Sequence, residues 1–337
     1  WGADRLGAVG MRGGVGRPGD GDAGFARAMA EARRPTGIVL GTVVAVAVTV
    51  ALFQLGPVLR FVLPAELLEQ GGIVALAPAF LAAWLLLWAW LRFKERRAFA
   101  SIGFRERSRA GGRIARGAGV ALAQMGVYLV VGVATGNLVF VATAAGSLLH
   151  TQALGWAAVA LLAFAVQSGA EEIVARGYLV QVWYPRTGVV GAVIVSAVYF
   201  TVAHSLSDEF SILPLVDMTL YSVLAVFWVL TERSLWGLIA YHATWNWAQG
   251  SLFGVSVSGT EVPNSVFVVN PTPGASTLVS GGDYGAEGSL VDIAVLLVLT
   301  AIAVAAYLRG RGSRGLPRTA DARTGISTST DTEMTRP

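Results

Sequence analysis

Long apolar runs, each broken by a short polar or basic stretch, fill the chain from residue 37 to residue 308. A bilayer core about 30 Å thick takes roughly 20 residues of helix to cross. On that measure the runs predict spans near 37–57, 72–93, 117–140, 154–183, 187–204, 212–231, 235–254 and 289–308, the fourth long and the fifth short. The expected fold is all-α, a polytopic membrane helical bundle of about eight transmembrane helices occupying residues 36–309. Residues 1–35 and 310–337 carry no periodic apolar pattern and read as disordered polar tails. Met29, just before Arg33, Arg34 and Pro35, is a natural starting residue. The apolar run after it is too long for a signal-peptide core and lacks a small-residue cleavage site, so it is expected to remain as a helix. No internal repeat or second soluble domain is evident.

Composition agrees. Charged residues make up 14% of the chain and mean hydropathy is +0.61, whereas a soluble domain needs about 25% charged residues to face water. The balance is basic, 25 Lys and Arg against 21 Asp and Glu. These basic residues lie between apolar runs rather than on one soluble face, which argues against nucleic acid as a partner. There is no Cys, so disulfides, thiolate metal sites and a Cys nucleophile are excluded.

The basic residues also set an expected orientation. Six Arg fall in the N-terminal tail and six from Arg309 onward. Lys94, Arg96, Arg97, Arg105, Arg107, Arg109, Arg113 and Arg116 crowd the loop after the second span, and Arg92, Arg186 and Arg233 share that side, giving 23 of 25 on one face. Arg60 lies opposite and Arg176 lies within a span. The asymmetry predicts a multi-pass protein of the cell membrane with both termini in the cytoplasm. The 255–288 loop, with Glu261, Asp283 and Glu287 and no basic residue, is then external, as is His150.

Ionisable side chains within apolar spans cost several kcal/mol and ask for a reason. Four places qualify: Glu171-Glu172 with Arg176 in the fourth span, Phe200 to His204 closing the fifth, Asp217 in the sixth, and His242 with Asn246 in the seventh. Glu172 and Arg176 are four apart with the acid first, the favourable order for an intrahelical ion pair. Glu171 projects about 100° away and has no basic residue three or four positions off, so it must be satisfied by another helix, by water or by a proton. Taken singly, His204 reads as interfacial packing, His242 with Asn246 as interhelical hydrogen bonding or chemistry, and Asp217 as packing or gating. The Trp residues near span ends read as interface anchors. Taken jointly, a Glu, two His and an Asn on three apolar helices supply a base, a second proton carrier and oxyanion donors, the set that amide hydrolysis needs.

At these residues the sequence resembles the CPBP family of intramembrane proteases, which includes the CAAX prenyl endopeptidases and many bacterial relatives; the bacterial branch is the expected one. The family motifs E-E-x-x-x-R, F-x-x-x-H and H-x-x-x-N read here as Glu171-Glu172 to Arg176, Phe200 to His204 and His242 to Asn246, in order. Arg176-Gly177-Tyr178-Leu179 and Ser234-Leu235-Trp236 are also family-like, and the resemblance covers about 155–255 as a protease core. It implies an endopeptidase acting on a membrane-associated protein or peptide among membrane lipids. It further implies that Glu171 and His204 position and deprotonate the attacking water, that His242 and Asn246 stabilise the oxyanion, and that Glu172, Arg176 and Phe200 support them.

There is no H-E-x-x-H and no pair of His four apart on one helix. Glu171, His204 and His242 are nonetheless a possible two-His, one-carboxylate zinc set, although a metal-free, glutamate-driven hydrolysis is the preferred expectation, with no cofactor. A catalytically silent membrane scaffold or immunity-type protein is the alternative, for which intact motifs have no use. A proton-coupled transporter is a further alternative, which predicts inverted repeats and broken helices.

Overall fold

The computed structural model describes residues 28–144, 146–205 and 211–312. The expected tails within 1–27 and 313–337 lie outside the described residues. Among the described residues ten α-helices follow from Ile38 on: α1 (Ile38–Leu59), α2 (Ala65–Gly71), α3 (Ile73–Ala89), α4 (Ala110–Ala134), α5 (Leu154–Glu172), α6 (Val180–His204), α7 (Ile212–Glu232), α8 (Trp236–Trp247), α9 (Thr277–Ser280) and α10 (Leu290–Gly312). Wider π-helical turns extend three of them, over Trp90–Glu95, Ile173–Leu179 and Ala248–Leu252. The protein is thus an all-α membrane bundle.

Among the described residues six stretches are long and apolar enough to cross a membrane: Ile38–Leu59, Ile73–Glu95, Arg107–Ala134, Thr151–His204, Ile212–Glu232 and Leu290–Gly310. The difference from the expected eight has two sources. The fourth and fifth expected spans form one helical stretch of 54 residues, and the seventh is the 12-residue α8 with a five-residue π turn, short of a full span. The long stretch cannot be one crossing. Glu171 and His204 would be about 50 Å apart along a straight helix, yet their side chains approach to 3.9 Å. The reversal falls at Gly188, where φ is +69°, a value that an L side chain rarely adopts. The third span also sits earlier than expected, at Ala110–Ala134 rather than 117–140, which puts Arg113 and Arg116 on the helix itself.

Burial separates the centre from the rim. Half of the apolar window of α7 is buried, against 17% for α1 and 22% for α10, so α7 is central and the outer helices turn large apolar side chains outward, as a lipid-facing surface requires. Small residues allow the closest contacts: a Cβ on Gly117 of α4 would lie 2.0 Å from the carbonyl oxygen of Gly237 on α8, so only glycine permits this crossing. The segment before α1, expected to belong to the tail, is packed from Ala28 onward. Met29 and Ala32 join the core, and Glu31 pairs with Arg105.

The loop after α8 is also ordered. A two-stranded antiparallel ribbon joins β1 (Leu138–Val141) to β2 (Val268–Pro271), pairing Leu138 with Pro271 and Val141 with Val268. Glu287, expected in an external loop, is buried, accepting hydrogen bonds from Trp245 Nε1 and from the backbone and hydroxyl of Ser258.

Candidate active site

The two adjacent glutamates end α5 where it passes into the π turn Ile173–Leu179. Such widened turns shift the helix phase and recur at functional sites. Glu172 is fully buried, and its Oε1 accepts from Arg176 Nη1 at 3.0 Å, Tyr221 OH at 2.8 Å and His242 Nδ1 at 3.0 Å. Arg176 also donates to Ser222 Oγ at 3.1 Å, and its guanidinium lies 4.3 Å from the Phe200 ring centre and 5.0 Å from that of Tyr221. The expected Glu172–Arg176 pair is therefore present, desolvated, and sheathed by aromatic rings that attract the cation. Phe200 also packs on the His204 ring, with centroids 4.3 Å apart.

Glu171 is different. Its Oε1 accepts from Gln167 Nε2 at 2.6 Å, one helical turn earlier. Its Oε2 is buried without a hydrogen-bond partner and faces two imidazoles, 3.9 Å from His204 Nε2 and 3.8 Å from His242 Nε2. The other nitrogen of each ring fixes its tautomer. His204 Nδ1 lies 2.8 Å from the Phe200 carbonyl and His242 Nδ1 lies 3.0 Å from the Glu172 carboxylate. Both contacts are to acceptors, so both Nδ1 atoms carry hydrogen, and each ring in its neutral form turns a bare Nε2 lone pair toward Glu171.

Gaps of 3.8 and 3.9 Å are too long for direct hydrogen bonds. A single water making bonds of about 2.8 Å bridges such gaps. Ligands bound at zinc distances in a tetrahedron lie roughly 3.3 Å apart, closer than these, and among the described residues no group of three His, Asp or Glu side chains is disposed to hold a metal ion.

Asn246 is buried beside this centre and donates from Nδ2 to Gln167 Oε1 at 3.0 Å. Gln167 therefore links Asn246 to Glu171. Sequence reading missed it, although its place four residues before Glu171 was a usable signal. Tyr221 and Ser222 were also missed, and no motif or spacing marked them. The structure thus brings together Glu171, Glu172, Arg176, Phe200, His204, His242 and Asn246, drawn from α5, its π turn, α6 and α8. Asp217 lies apart from Glu171, in a small cavity with Asp292 and Glu287 that also touches His204 and His242.

An apolar chamber of about 480 Å³ adjoins the centre. Val48, Leu52 and Phe53 of α1 and Leu76 and Phe80 of α3 wall it, and Glu171 and His204 also line it. This is a volume typical of ligand sites, here built partly from helices remote in sequence from the motifs.

Taken together, the fold and the centre define a polytopic membrane protein with a part-buried carboxylate facing two imidazoles. Residues 152–248 match the family described as Rce1-like, type II CAAX prenyl endopeptidase Rce1-like. That stretch holds all seven motif residues and agrees with the resemblance to the CPBP family. The match supports a CAAX-type intramembrane protease, a membrane hydrolase. No curated protein and no solved structure matches the chain.

Proposed function

We propose that this protein is an intramembrane endopeptidase that hydrolyses a peptide bond of a membrane-associated protein or peptide, without a metal ion. The observation that carries the reading is the unpartnered Oε2 of Glu171, set between two Nε2 lone pairs at a distance that holds one water. Glu171 takes a proton from that water as its oxygen attacks the scissile carbonyl carbon, while His204 accepts the second water hydrogen and fixes its direction. The carbonyl electrons move to oxygen. The resulting oxyanion accepts from the Nδ2 group of Asn246 and, when its ring carries both protons, from His242 Nε2. Collapse breaks the C–N bond, and Glu171 returns its proton to the departing amine.

The chamber supports a membrane-associated substrate, because apolar walls beside the proposed base Glu171 suit an apolar segment. The test is a comparison of new protein N-termini in cells carrying the wild type and Glu171→Gln. Termini that vanish in the variant support the reading. Identical termini in both overturn it.

The orientation is part of the same proposal, with both termini cytoplasmic in the cell membrane. A reporter fused after Arg336 is expected to be active only in its cytoplasmic form, and one inserted within 260–285 only in its external form. The opposite result at either site reverses the orientation.

A further inference from the structure

On the basic face of the bundle most cations are matched. Arg97 pairs with Glu95, Arg105 with Glu31, and Arg113 and Arg116 with Glu232. Lys94 donates to the Arg34 carbonyl at 3.1 Å and to Thr36 at 2.8 Å, and Arg186 donates to two backbone carbonyls. Among the arginines left without an acceptor, Arg33, Arg92 and Arg96 are set apart because they converge on one place. These three, with Phe93, line one surface cleft of about 450 Å³; Arg92 lies 5.9 Å from the Phe93 ring centre, and among the described residues no carboxylate pairs with any of the three.

The convergence is built by the backbone. The π turn Trp90–Glu95 ends α3, and Arg96 follows in a left-handed conformation, φ +55°, that turns the chain sharply after Arg92. Arg33 arrives from about sixty residues earlier. It is held there because the Arg34 N–H bonds to the Glu95 carbonyl at 3.4 Å, Lys94 reaches back to Arg34, and Thr36 donates to Glu95 at 2.5 Å. The nearby carboxylates are committed elsewhere. Glu95 serves Thr36 and Arg97, and Glu31 serves Arg105, whose hydrogen bond and charge hold the Glu31 carboxyl below its usual range. Three like charges gathered around one cleft raise its positive potential and favour an anion there.

The location says which anion. Phe93 is 65% exposed, and the α3 turns leading to it present Leu85, Leu86 and Trp88 outward, so the cleft sits where an apolar, lipid-facing helix gives way to the polar boundary. Arginine forks match phosphate oxygens bidentately. We infer that this cleft binds the phosphate of an anionic phospholipid, whose acyl chains lie along the exposed face of α3. The inference stands independently of the protease reading.

The test uses the full chain in nanodiscs of phosphatidylcholine, with phosphatidylglycerol titrated in and bound lipid counted by native mass spectrometry. Wild type is compared with R33Q/R92Q/R96N and with a charge-matched control, R107Q/R233Q/R309Q, at basic-face positions outside the cleft. At about 1 kcal/mol per basic residue, affinity is expected to fall roughly fivefold for each cleft arginine removed, and to hold in the control. Equal losses in both triples overturn the site in favour of a diffuse field. Inorganic phosphate or glycerol 3-phosphate displacing the lipid at equal concentration overturns the lipid as occupant. R92Q alone, at the end of α3, gives the same reading if the triple variant fails to fold: a fivefold loss supports the site, and no loss overturns it.

Discussion

Three donors from three directions converge on one oxygen of Glu172: a guanidinium from its own helix, a phenol from α7 and an imidazole from α8. One residue earlier, Glu171 receives a single amide from Gln167 and turns its other oxygen toward two imidazoles that stand just beyond hydrogen-bond reach. The two side chains have the same chemistry and diverge by about 100° around the helix. One points into a closed polar knot and the other toward a chamber. The contrast shows that position relative to neighbouring helices, rather than residue type, gives one carboxylate three partners and leaves one oxygen of the other with none. The knot also reaches the open site, because Glu172 orients the His242 ring whose Nε2 faces Glu171.

The sharpest way to test this division is Glu171→Gln. It keeps shape and hydrogen bonding but removes proton acceptance, so turnover in a purified cleavage assay is expected to fall roughly 10²–10⁴-fold with the melting temperature nearly unchanged. Glu172→Gln takes the counter-charge from a buried arginine. Breaking such a pair costs about 3–5 kcal/mol, so this variant is expected to melt early, with a smaller loss of activity per folded molecule. A stable but inactive Glu172→Gln beside an active Glu171→Gln would reverse the two roles.

Tyr221→Phe removes one of the three donors to Glu172 and leaves the packing against Arg176. A loss of about 1 kcal/mol in stability is expected, read by thermal unfolding in detergent. The smallest effect is expected from metal removal. Exhaustive chelation should leave cleavage by the purified protein unchanged, with substoichiometric zinc by elemental analysis; stoichiometric zinc that disappears in His204→Ala would overturn the metal-free proposal.

Several of these residues were legible in advance for a local reason. Glu172 and Arg176 had to meet because residues four apart on a helix share a face. His242 and Asn246 had to share one too, although their partners lay elsewhere. Gln167 was open to the same rule and was overlooked because a neutral amide in an apolar run draws less notice than a charge. The expected division between the fourth and fifth spans, at 183–187, falls beside the reversal at Gly188, whereas local hydropathy did not register the shortness of α8.

The sequence by itself determined that this is a helical membrane protein, which stretches are apolar enough to cross, and which few ionisable groups are costly enough to need a purpose. These properties depend on composition and on contacts within a turn or two of helix. Only the tertiary structure decided that His242 bonds to Glu172 while its other nitrogen faces Glu171, and that Asn246 reaches the centre through Gln167. It also decided that α1 and α3 wall the chamber and that Asp217 shares a cavity with Asp292 and Glu287. Each of these contacts joins residues tens of positions apart, on helices whose rotation and depth are set by packing against one another, and no periodicity along the chain records that packing.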